Sequence, residues 1–225
     1  MNPALLKGPA NIRKEGRVNI PILYEDDSLL IVDKPSGLLT IPTPKKEKRT
    51  LTSILDDYLK EKGELALAHP CHRLDRETSG AIIYAKGKSL QQKVMELFKG
   101  RTVRKSYLVF VQGRMEDLRG EIKNSIDGMS AVTGYKVIEQ RSNFAIVEAH
   151  PLTGRTNQIR IHFKQIGHPV VGESKFVFRR DYQLRAKRLC LHARSIEFTH
   201  PGTHKLMHIE ADLPQDLKRF LDSHN

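Results

Sequence analysis

Cysteine is scarce in this 225-residue chain, where only Cys71 and Cys190 occur. Two are too few for a disulfide framework, and in a reducing cytosol they are expected to stay as thiols. The first residues, Met1 to Arg13, hold no apolar core of the signal-peptide kind, and no apolar run anywhere is long enough to cross a bilayer. A soluble, cytoplasmic protein without membrane contacts is the expectation. Internal repeats of solenoid period and low-complexity tracts are also missing. So are several reactive patterns. Without Gly-x-Ser-x-Gly, a Walker sequence or a dinucleotide glycine fingerprint, the common serine hydrolases, P-loop nucleotidases and dinucleotide-dependent dehydrogenases fall away. His69, Cys71, His72, Cys190 and His192 are possible metal ligands, but there is no Cys-x-x-Cys and the last two sit in an apolar strand pattern, so no metal is expected.

Acidic residues are the other shortage. Asp and Glu number 26 against 38 Lys and Arg, which gives a net charge of +12 and a pI near 9.7. A phosphate-rich partner follows most simply. The hydrophobic content of 39% supports a globular fold, and the length suits one domain with at most a small appendage.

Residues 1 to 20 mix Pro, Gly, Asn and charge and are expected to form an N-terminal arm, with residues 21–225 as the main domain. Strands are expected at Ile20–Tyr24 and Leu29–Asp33. The run Pro42 to Arg49 reads as an exposed basic loop, after which Thr50 caps a helix striped by Leu51, Ile54, Leu55, Tyr58 and Leu59 and ended by Gly63. Ser89 and Gln92 suggest a capping box for a second helix, with Leu90, Val94, Leu97 and Phe98 on one face and Gly100 as its stop. Ser106–Val111 is apolar enough for a central strand, and Ala131–Ile138 with Phe144–Ala149 read as a hairpin. A third helix follows Thr153-Gly154-Arg155-Thr156, burying Ile159, Phe163 and Ile166. From Gly172 to Arg188, six basic residues alternate with Phe176, Phe178 and Tyr182, a mixture suited either to looped RNA or to a solvated surface. Leu189–Ala193, Ser195–Phe198 and Leu206–Ile209 then read as strands, with a last helix after Pro214.

One polar stretch stands apart. His69-Pro70-Cys71-His72-Arg73-Leu74-Asp75-Arg76-Glu77-Thr78-Ser79-Gly80 delivers the chain into the apolar run Ala81–Tyr84 and places an acid between two arginines. Taken alone, Asp75 is either a solvated salt-bridge partner of Arg73 or Arg76 or a reactive carboxylate on a loop held by a sheet.

Several separated motifs bear on that choice. Tyr24-Glu25-Asp26-Asp27 through Lys34-Pro35-Ser36-Gly37, then His72-Arg73-Leu74-Asp75 with Thr78-Ser79-Gly80, Lys105-Ser106-Tyr107, Gly154-Arg155-Thr156-Asn157-Gln158-Ile159-Arg160 and Leu191-His192-Ala193 follow one another as in the RluA-type pseudouridine synthases. The chain resembles that family over roughly residues 20 to 213. The resemblance implies an α+β fold, a mixed and largely antiparallel sheet with flanking helices and a central RNA cleft. It implies isomerisation of uridine to pseudouridine in structured ribosomal or transfer RNA by base flipping, with no cofactor and no metal. It also implies roles: Asp75 as the essential carboxylate, Arg160 as its basic partner, Tyr107 as the ring stacked on the target base, Leu191 as an apolar wall. Arg73 would fill the space left by the flipped uridine, and His72 and Arg155 would contact the RNA. An aspartate's ordinary pKa of about 3.9 leaves it ionised at neutral pH, so no second base is required.

The chain departs from the family pattern in Asn157, where histidine is more usual, and in Glu173 and Phe176, where Asp and Tyr are. The segment before Tyr24 is too short for an S4-like RNA-binding domain, and a monomer is expected. Two other readings compete: a non-catalytic RNA-binding or RNA-folding protein on the same scaffold, and a glycoside hydrolase, which would want a second carboxylate opposed to Asp75.

Overall fold

The computed structural model describes residues 11–14, 18–177 and 184–224. In chain order its elements are β1 (Asn11–Lys14), β2 (Val18–Glu25), β3 (Leu29–Lys34), α1 (Leu51–Glu61), β4 (Ala68–Pro70), β5 (Ser79–Lys86), α2 (Lys88–Lys99), β6 (Arg104–Gln112), β7 (Arg119–Ile122), β8 (Thr133–Gln140), β9 (Phe144–Pro151), α3 (Gln158–Gln165), β10 (Leu191–Thr199), β11 (Leu206–Glu210) and α4 (Gln215–Asp222). The result is a mixed α+β fold of mostly antiparallel strands with few helices, in agreement with the expected class. The chain divides into two compact units, one holding the residues up to Thr102 with Glu197–Ala211, the other Val103–Ile196 with the residues from Asp212 onward.

The first unit is built on β5. Every residue of this strand is buried, and it pairs antiparallel with β3 from Lys34↔Gly80 to Leu29↔Ala85. Both strands read as nearly continuous apolar runs because neither face meets water. β2 extends the sheet beyond β3, β1 beyond β2, and β4 adds to β5. Leu51, Ile54, Leu55 and Leu59 bury the inner face of α1, each worth about 1.5–3 kcal/mol of transfer free energy. Thr50 caps that helix through a reciprocal pair with Ser53.

In the second unit β6 pairs with β9, β9 with β8 and β8 with β7, all antiparallel. Alternation along β6 and β9 makes two cores. Val109, Val111, Val147 and Ala149 join Ile159 and Phe163 of α3 and Leu191 of β10. Leu108, Phe110, Phe144 and Ile146 face the other way and meet Cys190 and the α4 residues Leu217, Phe220 and Leu221.

Three local expectations change. The N-cap of α2 is Gly87, with φ 117° and no side-chain cap bond, and Ser89 lies inside the helix. Part of the expected arm is strand, since β2 starts at Val18 and β1 pairs with it. Between the third strand pattern and the hairpin, β7 forms on residues too polar to announce a strand, Arg119-Gly120-Glu121-Ile122. Of the basic and aromatic cluster after Gly172, Phe178, Arg179, Arg180 and Tyr182 lie outside the described residues.

Candidate active site

The stretch around Asp75 connects β4 to β5 and is tied down from both sides. Cys71 N donates to Ile83 O at 3.0 Å, and Ile83 N donates to Nε2 of His72 at 3.1 Å. That second bond uses His72 Nε2 as an acceptor, and its ring packs 4.8 Å from Phe98. Leu74, 5% exposed, is the apolar anchor. Its carbonyl accepts from the buried Thr40 hydroxyl at 2.9 Å. Anchoring Leu74 inward leaves its neighbours outward: Arg73 is exposed and Asp75 partly so. Arg73 makes no hydrogen bond or ion pair among the described residues.

Lys34 explains the Lys-Pro-Ser-Gly motif. Its side chain is fully buried, and Nζ donates to the carbonyls of Pro35, Leu38 and Arg76 at 3.1, 2.7 and 3.2 Å. Gly37 N also donates to Arg76 O at 2.7 Å, Arg76 Nε returns a bond to Gly37 O at 3.1 Å, and the Ser36 hydroxyl donates to Glu77 O at 2.6 Å. Arg76 is therefore engaged in holding the loop. Two donors on the Arg76 carbonyl, one of them the buried Lys34 ammonium, and a third on the Glu77 carbonyl fix the chain beside Asp75, since hydrogen bonds to a buried charge are among the stronger ones.

In the second unit Tyr107 is partly buried at the margin of the core that contains Leu191 and Ile159. Strand pairing Tyr107↔Ala149 and the packing of α3 against this face hold it there. Leu191, 3% exposed, is a fixed apolar surface in the same core.

Arg160 on α3 is 4% exposed. Its Nε and Nη2 donate to the two carboxylate oxygens of Glu173, each at 2.7 Å, and Nη1 donates to Asn157 Oδ1 at 2.9 Å. The Phe176 ring lies 5.1 Å from its Cζ. Burial alone would raise the Glu173 pKa, but the guanidinium and the N–H groups of Lys175 and Ser174 hold it below the usual range. The departures at positions 157, 173 and 176 thus form one cage around Arg160. In the sequence these three departures leave the hydrogen bonding around Arg160 open; in the structure Glu173 and Asn157 supply bonds to it and Phe176 packs on it.

The loop before α3 spends its donors internally. The Thr153 hydroxyl and Arg155 N both donate to Gln158 Oε1, at 2.6 and 3.0 Å, and Arg155 Nε donates to Ser130 O at 3.2 Å. Asn157 enters the helix in the left-handed conformation, φ 55°, which Asn tolerates better than most residues. Cys71 and Cys190 are both buried, which pushes each thiol up to about 12. Among the described residues no helix is long and apolar enough to cross a membrane.

Comparison with known proteins agrees with the motifs. Residues 28–165 match the family described as RNA pseudouridylate synthase. The "Dual-specificity RNA pseudouridine synthase RluA" of Vibrio cholerae is 32% identical over 83% of this chain and 80% of its own length. The "Ribosomal large subunit pseudouridine synthase C" of Salmonella typhi is 34% identical over 89% of this chain and 69% of its own. Among solved structures, "Human RNA Pseudouridylate Synthase Domain Containing 4" superposes with a TM-score of 0.74 at 25% identity, covering 89% of this chain and 92% of that one. The chain belongs to the RNA pseudouridylate synthase family and is an RNA pseudouridine synthase.

Proposed function

We propose that the protein converts uridine to pseudouridine at selected loop positions of ribosomal or transfer RNA, with Asp75 as the essential carboxylate and the target base turned out of its stack. The observation that carries this reading is the loop itself. Leu74 is sunk into the unit, and bonds from Lys34, Ser36 and Gly37 hold the backbone at Arg76 and Glu77, which fixes the short loop that carries the exposed Arg73 and the partly exposed Asp75.

The reaction breaks the bond from ribose C1′ to N1 of uracil and makes one from C1′ to C5. A proton leaves C5 and N1 ends protonated, so there is no net redox change and no external cofactor is required. Asp75 acts at the sugar–base junction. Arg160 supplies a fixed cation whose direction is set by Glu173 and Asn157. Tyr107 offers its ring to the base, as aromatic side chains do for extruded bases, and its hydroxyl serves the proton transfer that completes the product. Leu191 walls the base. Arg73 enters the place vacated by the flipped uridine and offsets part of the few kcal/mol that flipping costs, while His72 and Arg155 contact the surrounding RNA. The catalytic residues come from a single catalytic domain comprising residues 21–225, acting as a monomer in the cytoplasm.

The test is to incubate the protein and its Asp75→Asn variant with cellular RNA and to map pseudouridine. Wild type is expected to add it at few positions and the variant at none. Modification that persists in the variant overturns the assignment of Asp75, and release of uracil points to hydrolysis instead. An RNA-folding protein would bind but leave no pseudouridine.

A further inference from the structure

Lys105 lies two residues before Tyr107 on β6, so the two side chains leave the same face of the strand. This lysine is only partly exposed, yet it makes no hydrogen bond and no ion pair among the described residues. Burial lowers its pKa. The arrangement is costly, because a desolvated charge without a partner opposes folding.

The neighbourhood explains why nothing compensates it. Glu148, the acid on β9, is paired with Leu108 and so lies on the opposite face. There it accepts from the Ser106 hydroxyl at 2.8 Å and sits 3.5 Å from His150. Continuing the β6–β9 register from Tyr107↔Ala149 sets Lys105 across from Pro151, which is paired in turn with Thr133. The Thr133 hydroxyl is occupied by His162 and Gln158, each at 2.9 Å. Beneath this face, α3 contributes Ile159 and Phe163 to the core. Among the described residues no carboxylate makes an ion pair with the amine, and its company on this face is an aromatic ring, a proline and apolar packing.

We propose that Lys105 is a binding site for a backbone phosphate of the RNA, at the nucleotide whose base is placed on the Tyr107 ring. The proposal rests on the reading of Tyr107 given above. A cation kept partly dry and uncompensated is set up for an anion that arrives with the substrate. Its low hydration makes the contact stronger than one from a fully solvated lysine, and its spacing from Tyr107 couples backbone position to base position. The stability that the bare charge costs is then recovered on binding.

The experiment measures binding of wild type, Lys105→Met and Lys105→Arg to a hairpin RNA with a uridine-containing loop over a series of salt concentrations. Lys105→Met is expected to bind about tenfold more weakly at low salt. Its plot of log affinity against log salt should be shallower by about 0.7, the value for one lost single-strand phosphate contact. Lys105→Arg should keep the wild-type slope. The same hairpin with neutral methylphosphonate linkages through the loop should erase the difference between wild type and Lys105→Met. Thermal melting supplies the folding control, with Lys105→Met melting no lower than wild type because it loses an uncompensated charge.

An unchanged slope, or a difference that persists on the neutral-loop hairpin, overturns the phosphate assignment; persistence would mean that the amine meets the base. A melting temperature well below wild type would show that the amine supports the fold and would likewise overturn it. Failure of the functional reading shows separately, as wild-type protein that leaves no pseudouridine in cellular RNA.

Discussion

Arg160 and Glu173 meet edge to edge, with two parallel N–H···O bonds of 2.7 Å between groups that are both almost wholly buried. A pair of this kind gives direction more than net stability, since much of its Coulomb energy is offset by desolvation. Breaking it is another matter. Glu173→Gln would take a buried, bidentate counter-charge from the guanidinium, at a cost of about 3–5 kcal/mol. Denaturant unfolding should register that loss, and pseudouridine formation should fall in whatever fraction remains folded. Glu173→Asp keeps the charge with a shorter reach and should recover part of both.

The same pair sets a limit in acid. Glu173 is held below its usual pKa in the folded protein, so the unfolded chain takes up its proton first as pH falls. Stability from this group is complete above the ordinary glutamate value of about 4.3 and declines as pH drops through that value toward the lowered native one. Titrating stability from pH 6 to pH 3 should show a steeper decline in wild type than in Glu173→Gln, where the lowered carboxyls of Glu25 and Asp26 still contribute.

His162 predicts a second pH effect at milder acidity. Its ring is fully buried, with Nε2 donating to Asn124 O at 3.0 Å and Nδ1 accepting from the Thr133 hydroxyl at 2.9 Å. Burial lowers its pKa despite the bond to Asn124. The unfolded chain therefore binds the proton more readily, and stability declines as pH falls below the ordinary histidine value of about 6.5. Comparing wild type with His162→Gln between pH 7.5 and 5.5 isolates this contribution, with the steeper fall expected in wild type.

Gly172 has no room for a side chain. A Cβ built there would lie 2.0 Å from Arg188 O, and φ is +81°. Gly172→Ala must move backbone against backbone and should cost about 3–5 kcal/mol or prevent folding. Gly154→Ala is the control, because a Cβ there meets nothing within 4 Å; its unfolding free energy should stay within about 0.5 kcal/mol of wild type.

Lys34→Met tests how the Asp75 loop is held. The substitution keeps length and apolar volume but deprives the carbonyls of Pro35, Leu38 and Arg76 of a charged donor. A loss of about 2–4 kcal/mol is expected, together with reduced pseudouridine formation in the folded fraction. Full activity in a folded Lys34→Met protein would separate this lysine from the placement of Asp75.

Much of this protein was legible in its residue order. The period of Leu51, Ile54, Leu55 and Leu59 set α1, the unbroken apolar runs set β3, β5 and β6, and Thr50 and Gly100 marked helix ends. These signals are local: burial pattern and capping act within one element. The separated motifs around Asp75, Tyr107 and Arg160 identified the family because their order survives without any contact being known. β7 was not legible, since a strand of Arg, Gly and Glu is stabilised by pairing with β8 and not by its own propensity. Gly87 displaced the expected cap at Ser89 for a similar reason, the backbone after β5 already turning at that glycine.

Composition determined that this chain is basic, and the order of its separated motifs pointed to the pseudouridine synthase family and, through that resemblance, to an α+β fold. Tertiary structure alone decided who holds whom. Asn157, Glu173 and Phe176 are spread over twenty positions and close on one guanidinium; Lys34 grips a loop that passes 42 residues later; Glu148 does not answer the charge of Lys105 because strand alternation turns it to the other face. Such pairings depend on chain crossings that bring distant residues together, and no periodicity along the sequence records them.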